Sequence, residues 1–432
     1  MSIKLTMTRL LSILVLLALV GCSTLRPLMP TPNLYANEHE KPFSDLHESL
    51  RSSDIDLLYI TDRVPVTDDS GKLGYGSGRS ASLAFGRATV RVGQDVTWED
   101  LVEASTTHQR AESLDLEMGE VVEIARSPPS PMAFDVVDGK IVEDAEALVV
   151  RDEIISKFHR EVARRLSLTP RKDVYVYVHG YHNTFEDGAF AMGELWHFFG
   201  REGVPISYSW PAGFPGIFGY TYDRESSEFT VGHLKRTLQT LASFPEVERI
   251  HLIAHSRGTD VATAALRELT LVLRASGQDP RKVLKLHNLI LAAPDIDVEV
   301  AEQRLMAEKL GLSAARTTIY TSPKDKAIGI AAWLFESPRG RIGTMGESSL
   351  SQQDKKYLEA LPTNLTIVRF EGDKEGGGFG HSYFRNNPSV SSDIVLLLRY
   401  DRQPGTPSRP LKPLGLHFWE VPPGYPTTAV TK

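Results

Sequence analysis

From Val174 onward the chain alternates between short apolar, β-branched runs and longer stretches with helical spacing. The runs fall at residues 174–178 (VYVYV), 205–210, 249–254, 285–292, 317–321 and 365–370. Helical spacing lies between them, at 185–199, 225–244, 259–275 and 298–310, and residues 393–399 belong to a last helix. Runs without polar alternation are strands covered on both sides. Strands joined through helices of ten or more residues make βαβ units with right-handed crossovers. The expectation is an α/β fold: a mainly parallel sheet with helices on both faces.

Two further strand signals precede this region, at residues 56–61 (DLLYIT) and 82–92. Residues 95–150 are mixed and charged, with a Pro-rich break at 127–131. Apolar residues then recur at helical spacing in Val150, Ile154, Ile155, Phe158, Val162 and Leu166. This N-terminal portion either adds strands to the sheet or shapes the site. A net charge of −7 gives no support to a nucleic-acid surface. No internal repeat is visible.

The first residues have the form of a secretion signal. Lys4 and Arg9 precede an apolar run at 10–20 that is too short for a membrane span. Leu19-Val20-Gly21-Cys22 resembles the lipobox of a bacterial lipoprotein, with the Cys22 thiol taking the diacylglycerol and cleavage leaving Cys22 first. Cys22 is the single cysteine of the chain, so no intramolecular disulfide can form. Ser23 after it favours, by resemblance to Gram-negative sorting, an outer-membrane lipoprotein facing the periplasm. The expected organisation is a lipoprotein signal peptide at 1–21 and a lipidated tether at 22–50. A hydrolase domain follows at 51–402, with an N-terminal portion 51–170 and a catalytic core 171–402. A Pro-rich tail closes the chain at 403–432, with a short strand expected at 416–421.

The sharpest chemical signal is Ile250-His251-Leu252-Ile253-Ala254-His255-Ser256-Arg257-Gly258. A strand runs straight into Ser256 and a helix follows at once. This resembles the G-x-S-x-G nucleophile elbow of α/β-hydrolases, with Ala254 in place of the first glycine. The turn is tight, so the residues two before and two after the serine must be small. The helix behind Ser256 points free amides at developing negative charge. Val178-His179-Gly180-Tyr181 ends an earlier strand, where the same fold takes an oxyanion donor. The Tyr181 N–H and the Arg257 N–H are the expected pair.

A serine hydroxyl needs a base, and in this fold the order along the chain is Ser, then Asp or Glu, then His. His381, after the Gly-rich loop at 376–380, is the candidate base. His287 also follows Ser256, but it begins a strand at the wrong edge. Asp325, just past the strand at 317–321, is the expected acid. Asp295 and Asp297, past the preceding strand, are its alternatives and otherwise serve as helix caps or turn formers. His251 and His255 are four apart on a strand, more than a dozen ångströms at about 3.3 Å per residue, so they do not form a zinc helix motif.

Taken together these pieces resemble a bacterial family of esterase/lipase-like α/β-hydrolases long catalogued as a domain of unknown function. The marks are residues 59–65 (YITDRVP), Phe85-Gly86, His179-Gly180-Tyr181, Ser209-Trp210-Pro211, His255-Ser256-Arg257-Gly258, Ala293-Pro294-Asp295, residues 322–327 (SPKDKA) and Gly380-His381-Ser382. They run from Asp56 to Arg399. The resemblance implies the fold and a catalytic serine, and names no substrate. The family commonly carries a small residue after the serine. Arg257 departs from that pattern, and it reads as a solvated helix residue or as a cation favouring acidic substrates.

The expected chemistry is ester hydrolysis through an acyl-enzyme on Ser256, with no metal or organic cofactor. The partners are a small-molecule or lipid ester and, through the N-terminal lipid, a membrane. Residues 211–220 (PAGFPGIFGY) line an acyl pocket or form a packed loop. The helix after Asp297 is a lid or a cover for the sheet. An amidase or peptidase would use the same triad, and a non-catalytic envelope lipoprotein would use the fold as a binding module.

Overall fold

The computed structural model describes residues 26–426 apart from 37–40, 109, 111, 217–218, 335–336, 338, 347–349, 361–363 and 373–379. The signal peptide, Cys22, most of the Gly-rich loop before His381 and the last residues of the tail lie outside the described residues. Among those described, no helix is long and apolar enough to cross a membrane.

The strands are β1 (Arg26–Pro27), β2 (Ile55–Thr67), β3 (Leu73–Val92), β4 (Asp115–Arg126), β5 (Phe134–Val137), β6 (Lys140–Glu143), β7 (Asp173–Val178) and β8 (Val204–Ser209). They continue as β9 (Arg249–His255), β10 (Leu286–Ala292), β11 (Arg316–Thr321), β12 (Leu365–Arg369), β13 (Lys412–Gly415) and β14 (Phe418–Glu420). Twelve of them form one sheet in the order β1-β4-β3-β2-β8-β7-β9-β10-β11-β12-β14-β13, and β5 and β6 pair as a separate hairpin. Pairing is parallel from β2 through to β14 and antiparallel at both ends. This is the α/β-hydrolase architecture expected above.

Strand β7 shows why its run is unbroken. Val174, Val176 and Val178 point into one core with Leu252, Ala254 and Leu289, while Tyr175 and Tyr177 point into the other with Ile253 and Ile290. Successive side chains of a strand alternate between faces, and both faces are dry here. The helices Ala145–Leu166, Gly219–Ser243 and Gly258–Ala275 cover the valine face. Phe185–Phe198 and Pro388–Leu398 cover the tyrosine face.

The N-terminal portion adds strands. β2 joins the core parallel to β8, β3 and β4 extend it antiparallel, and the helix Trp98–Thr106 lies in the stretch that reads only as mixed and charged. The segment expected to be a tether does not hang free from Arg26 onward. Leu28, Met29 and Tyr35 are buried in the core, and Leu28 N–H donates to Leu114 O at 2.7 Å. Scattered apolar residues carry no periodicity, yet each has found a site. The tail is likewise part of the fold. β13 and β14 continue the sheet, and Arg409, 1% exposed, pairs with the fully buried Asp393 at 2.7 Å. The helix expected at 298–310 is broken. It is α-helical at Val298–Val300, widens to a π turn at Ala301–Met306 and ends as a 3₁₀ turn at Leu310–Leu312. Val298 and Ala301 pack on Ile296 and Ile342, so its start is a cover rather than a lid.

Candidate active site

Parallel strands open their carboxyl ends to one rim of the sheet, and that is where ligands meet α/β folds. β9 ends at His255, and Ser256 follows in a left-handed backbone conformation, φ 52°. Two bonds hold the turn: Ser256 N–H donates to Ala292 O at 3.0 Å, and the Thr259 hydroxyl donates to Ser256 O at 2.6 Å. The helix Gly258–Ala275 begins immediately. A Cβ at Gly258 would stand 2.3 Å from His179 O, so the helix end is pressed against the exit of β7 and only glycine fits. Ala254, fully buried, is tolerated two residues before the serine.

The loop after β7 comes directly over the serine. A Cβ at Gly180 would lie 2.8 Å from Ser256 Cβ. Among the described residues neither the Tyr181 N–H nor the Arg257 N–H donates a hydrogen bond, whereas their neighbours Gly180 and His182 donate to Asn183 Oδ1 and Asp223 Oδ2. Two free amides beside one hydroxyl are suited to receive an oxyanion.

His381 Nδ1 lies 2.8 Å from Asp325 Oδ2. Asp325 is 2% exposed, and its second oxygen accepts the Ile328 N–H at 3.1 Å, so the carboxylate caps the helix Lys326–Leu334 while facing the imidazole. The His381 ring rests on the ring of His255 with centroids 4.7 Å apart, and His255 Nε2 lies 3.2 Å from His381 O. Burial, followed by the nearby His381, lowers the His255 pKa well below its ordinary value, so His255 is a neutral platform. Ser256 is 6% exposed, and its hydroxyl and His381 are not hydrogen-bonded to each other.

The alternative acids are engaged elsewhere. Asp295 pairs with Arg341 at 2.6 Å and with Arg257 at 3.2 Å, and Asp297 caps the turn at Val298–Val300. His287 faces Asp401 at 2.9 Å, away from the serine. Arg257 is not a solvated helix residue: it is 8% exposed and bonded to Asp295, Asp260 and the Tyr220 hydroxyl. Its charge is balanced by two carboxylates, which also removes it as a lone cation for an acidic substrate.

Several contributors lie within marks of the resemblance or the 211–220 segment, but the sequence assigns them no role at the site. Arg63, 1% exposed, donates to Ser209 Oγ, Ala212 O and Asn183 O and lies 3.2 Å from His179 Nε2. Burial, and secondarily Arg63, lower the His179 pKa to about 3, so the imidazole is neutral, with Nδ1 against Gly180 O and its ring stacked on Trp210. Trp210 Nε1 donates to His179 O at 2.7 Å. The loop after Trp210 is fixed by Asp223, which accepts the Gly213 and Phe214 amides. At its end Tyr220 stands beside Tyr181 with ring centroids 5.2 Å apart. Among the described residues no group of three or more His, Cys, Asp or Glu side chains is placed to hold a metal ion.

A family model described as an alpha/beta hydrolase of unknown function (DUF900) matches residues 155–399. The match begins after β4, so the marks at 59–65 and Phe85-Gly86 precede it. Among solved structures, an esterase of Pyrobaculum calidifontis is 11% identical with a TM-score of 0.27, over 60% of this chain and 93% of that one. A structure titled AbyA5 wildtype is 12% identical with a TM-score of 0.28, over 58% of this chain and 72% of its own. No curated protein matches the chain.

Proposed function

The chain belongs to the alpha/beta hydrolase family of unknown function (DUF900), and from that premise we propose that it hydrolyses carboxylic esters through an acyl-enzyme on Ser256, at the cell envelope. The observation that carries this reading is the buried Asp325 carboxylate on His381, whose ring packs on His255, the residue before a serine held at a strand-to-helix turn. Ser256 Oγ attacks the ester carbonyl while His381 Nε2 takes its proton. Asp325 holds the Nδ1–H tautomer and offsets the imidazolium charge. The carbonyl oxygen, now negative, is received by the Tyr181 and Arg257 amides. His381 then gives its proton to the leaving alkoxide, and the alcohol departs. Water repeats the sequence on the acyl-enzyme, releasing the acid and restoring Ser256. Envelope attachment through a diacylglycerol on Cys22 belongs to the same reading.

The experiment is labelling with a fluorophosphonate probe, with Ser256→Ala alongside. Labelling of the native chain and none of the variant is the expected result. A folded native chain that fails to label removes the catalytic reading and leaves a binding module. Matched ester and amide substrates then separate an esterase from an amidase. Cys22→Ala is expected to move the protein from the membrane fraction to the soluble one.

A further inference from the structure

A cavity of about 480 Å³ lies on the valine face of the sheet, between the N-terminal extension and the core. Its floor is Ile60 of β2 with Leu83, Ala84 and Phe85 of β3. One wall is the helix Ala145–Leu166 through Ile154, Ile155 and Phe158. The opposite wall is the helix Gly219–Ser243 through Arg236, Thr237 and Thr240. The Pro-rich segment 128–132 and the β5–β6 hairpin form the roof. This is not the hydrolytic site. Tyr220, beside Arg257, and Arg236 share one helix and are sixteen residues apart, about 24 Å at the usual rise.

We propose that this cavity binds a free long-chain fatty acid, its chain inside and its carboxylate at Arg236. The volume is that of a small-molecule site, roughly 300–1,000 Å³. Two of its hydroxyls are already spent: the Thr237 hydroxyl donates to His233 O, and Ser127 Oγ accepts the Leu83 N–H and donates to Pro128 O. The walls therefore suit an unfunctionalised aliphatic chain. The mouth is apolar too. Phe134 and Ile141, both lining the cavity, are 48% and 70% exposed. A two-stranded hairpin that leaves such side chains in water gains when an apolar occupant covers them. Three charges stand at the rim. Arg151 is paired with Asp152 at 2.8 Å, Glu143 is exposed, and Arg236 is exposed and makes no ion pair or hydrogen bond among the described residues, with the Asp62 carboxylate acting on it only through space. One apolar cavity with one guanidinium free of hydrogen bonds at its mouth matches one acyl chain with one carboxylate. The site is independent of Ser256.

The test is titration of the purified chain with the fluorescent fatty acid cis-parinaric acid, in the native form and in Ser256→Ala. Saturable binding of equal affinity in both, displaced by palmitate and not by butyrate, is expected. Ile155→Trp, which fills the cavity, and Arg236→Glu, at an exposed position of its helix, are each expected to weaken binding at least about tenfold. Arg236→Glu is expected to keep its fluorophosphonate labelling. Absence of saturable binding by the native chain, or undiminished affinity in Arg236→Glu, overturns the proposal. Loss of binding in Ser256→Ala overturns it as well, by assigning the ligand to the hydrolytic site. Failure of labelling at Ser256 leaves it standing.

Discussion

Arg63 takes a full charge into the interior with no carboxylate bonded to it; its donors go to Ser209, Gly76, Ala212, Asn183 and the His179 ring. Burial lowers its pKa to about 10, still protonated at neutral pH. These bonds fix the loop that carries the Tyr181 amide. Arg63→Met is expected to lower kcat on an ester by about 10²-fold with little change in KM, because the loop moves while the acyl contacts stay. Arg63→Lys should not restore it, since one ammonium cannot reproduce a five-donor fork. Asp325→Asn should reduce kcat by on the order of 10⁴ with substrate affinity retained, as the amide stabilises the wrong tautomer. Steady-state kinetics in one ester series reads all three. Ser256, Asp325 and His381 are legible in the sequence because each follows a strand end beside small or turn-forming residues. The role of Arg63 is not, because although it falls in the 59–65 mark, a lone arginine in a strand has no spacing that tells what it bonds. Between Asp325 and Asp295 the fold decides: both follow strands, and the contact of Asp325 with His381 and the arginines around Asp295 separate them.

Among elements, the parallel core was legible because burial on both faces writes itself as unbroken apolar runs. β4 was not, since its sequence DLEMGEVVEIAR mixes charge into a half-exposed strand. The last segment misled in the other direction. Its prolines read as a tail, while Arg409 and Tyr425 reach back to Asp393, whose oxygens also accept the Tyr320 hydroxyl. A buried ion pair that loses one partner leaves a bare charge inside, a loss of roughly 3–5 kcal/mol. Arg409→Ala is therefore expected to destabilise the domain by that amount and to lower the urea midpoint. Arg409→Ala with Asp393→Asn should recover part of it. An unchanged midpoint in the single variant would return the segment to the status of a tail.

The molecule as a whole buries neutral imidazoles on the tyrosine side of its sheet. His179 is held at about 3 and His251 at about 4, and His197 and His255 well below the ordinary value, in each case chiefly by desolvation. The unfolded chain protonates these groups near pH 6.5 while the folded chain does not, so stability is full above pH 6.5 and falls as pH drops below it. Each contributes about 1.4 kcal/mol per pH unit across that window, down to its folded pKa. Urea midpoints at pH 7.5, 6.5 and 5.5, read against the same chain carrying His251→Gln, should show a steep acid decline that is shallower in the variant. At the other end of the molecule, Arg26 pairs with the buried Glu194, and Glu194 also accepts the Met29 N–H at 2.7 Å. Only three residues lie between Cys22 and Arg26, and four chain steps reach at most about 14 Å. A lipid on Cys22 would then act as a mooring with almost no slack. The body would ride against the headgroup layer, and the esters within its reach would be those partitioned into that layer rather than those dissolved beyond it.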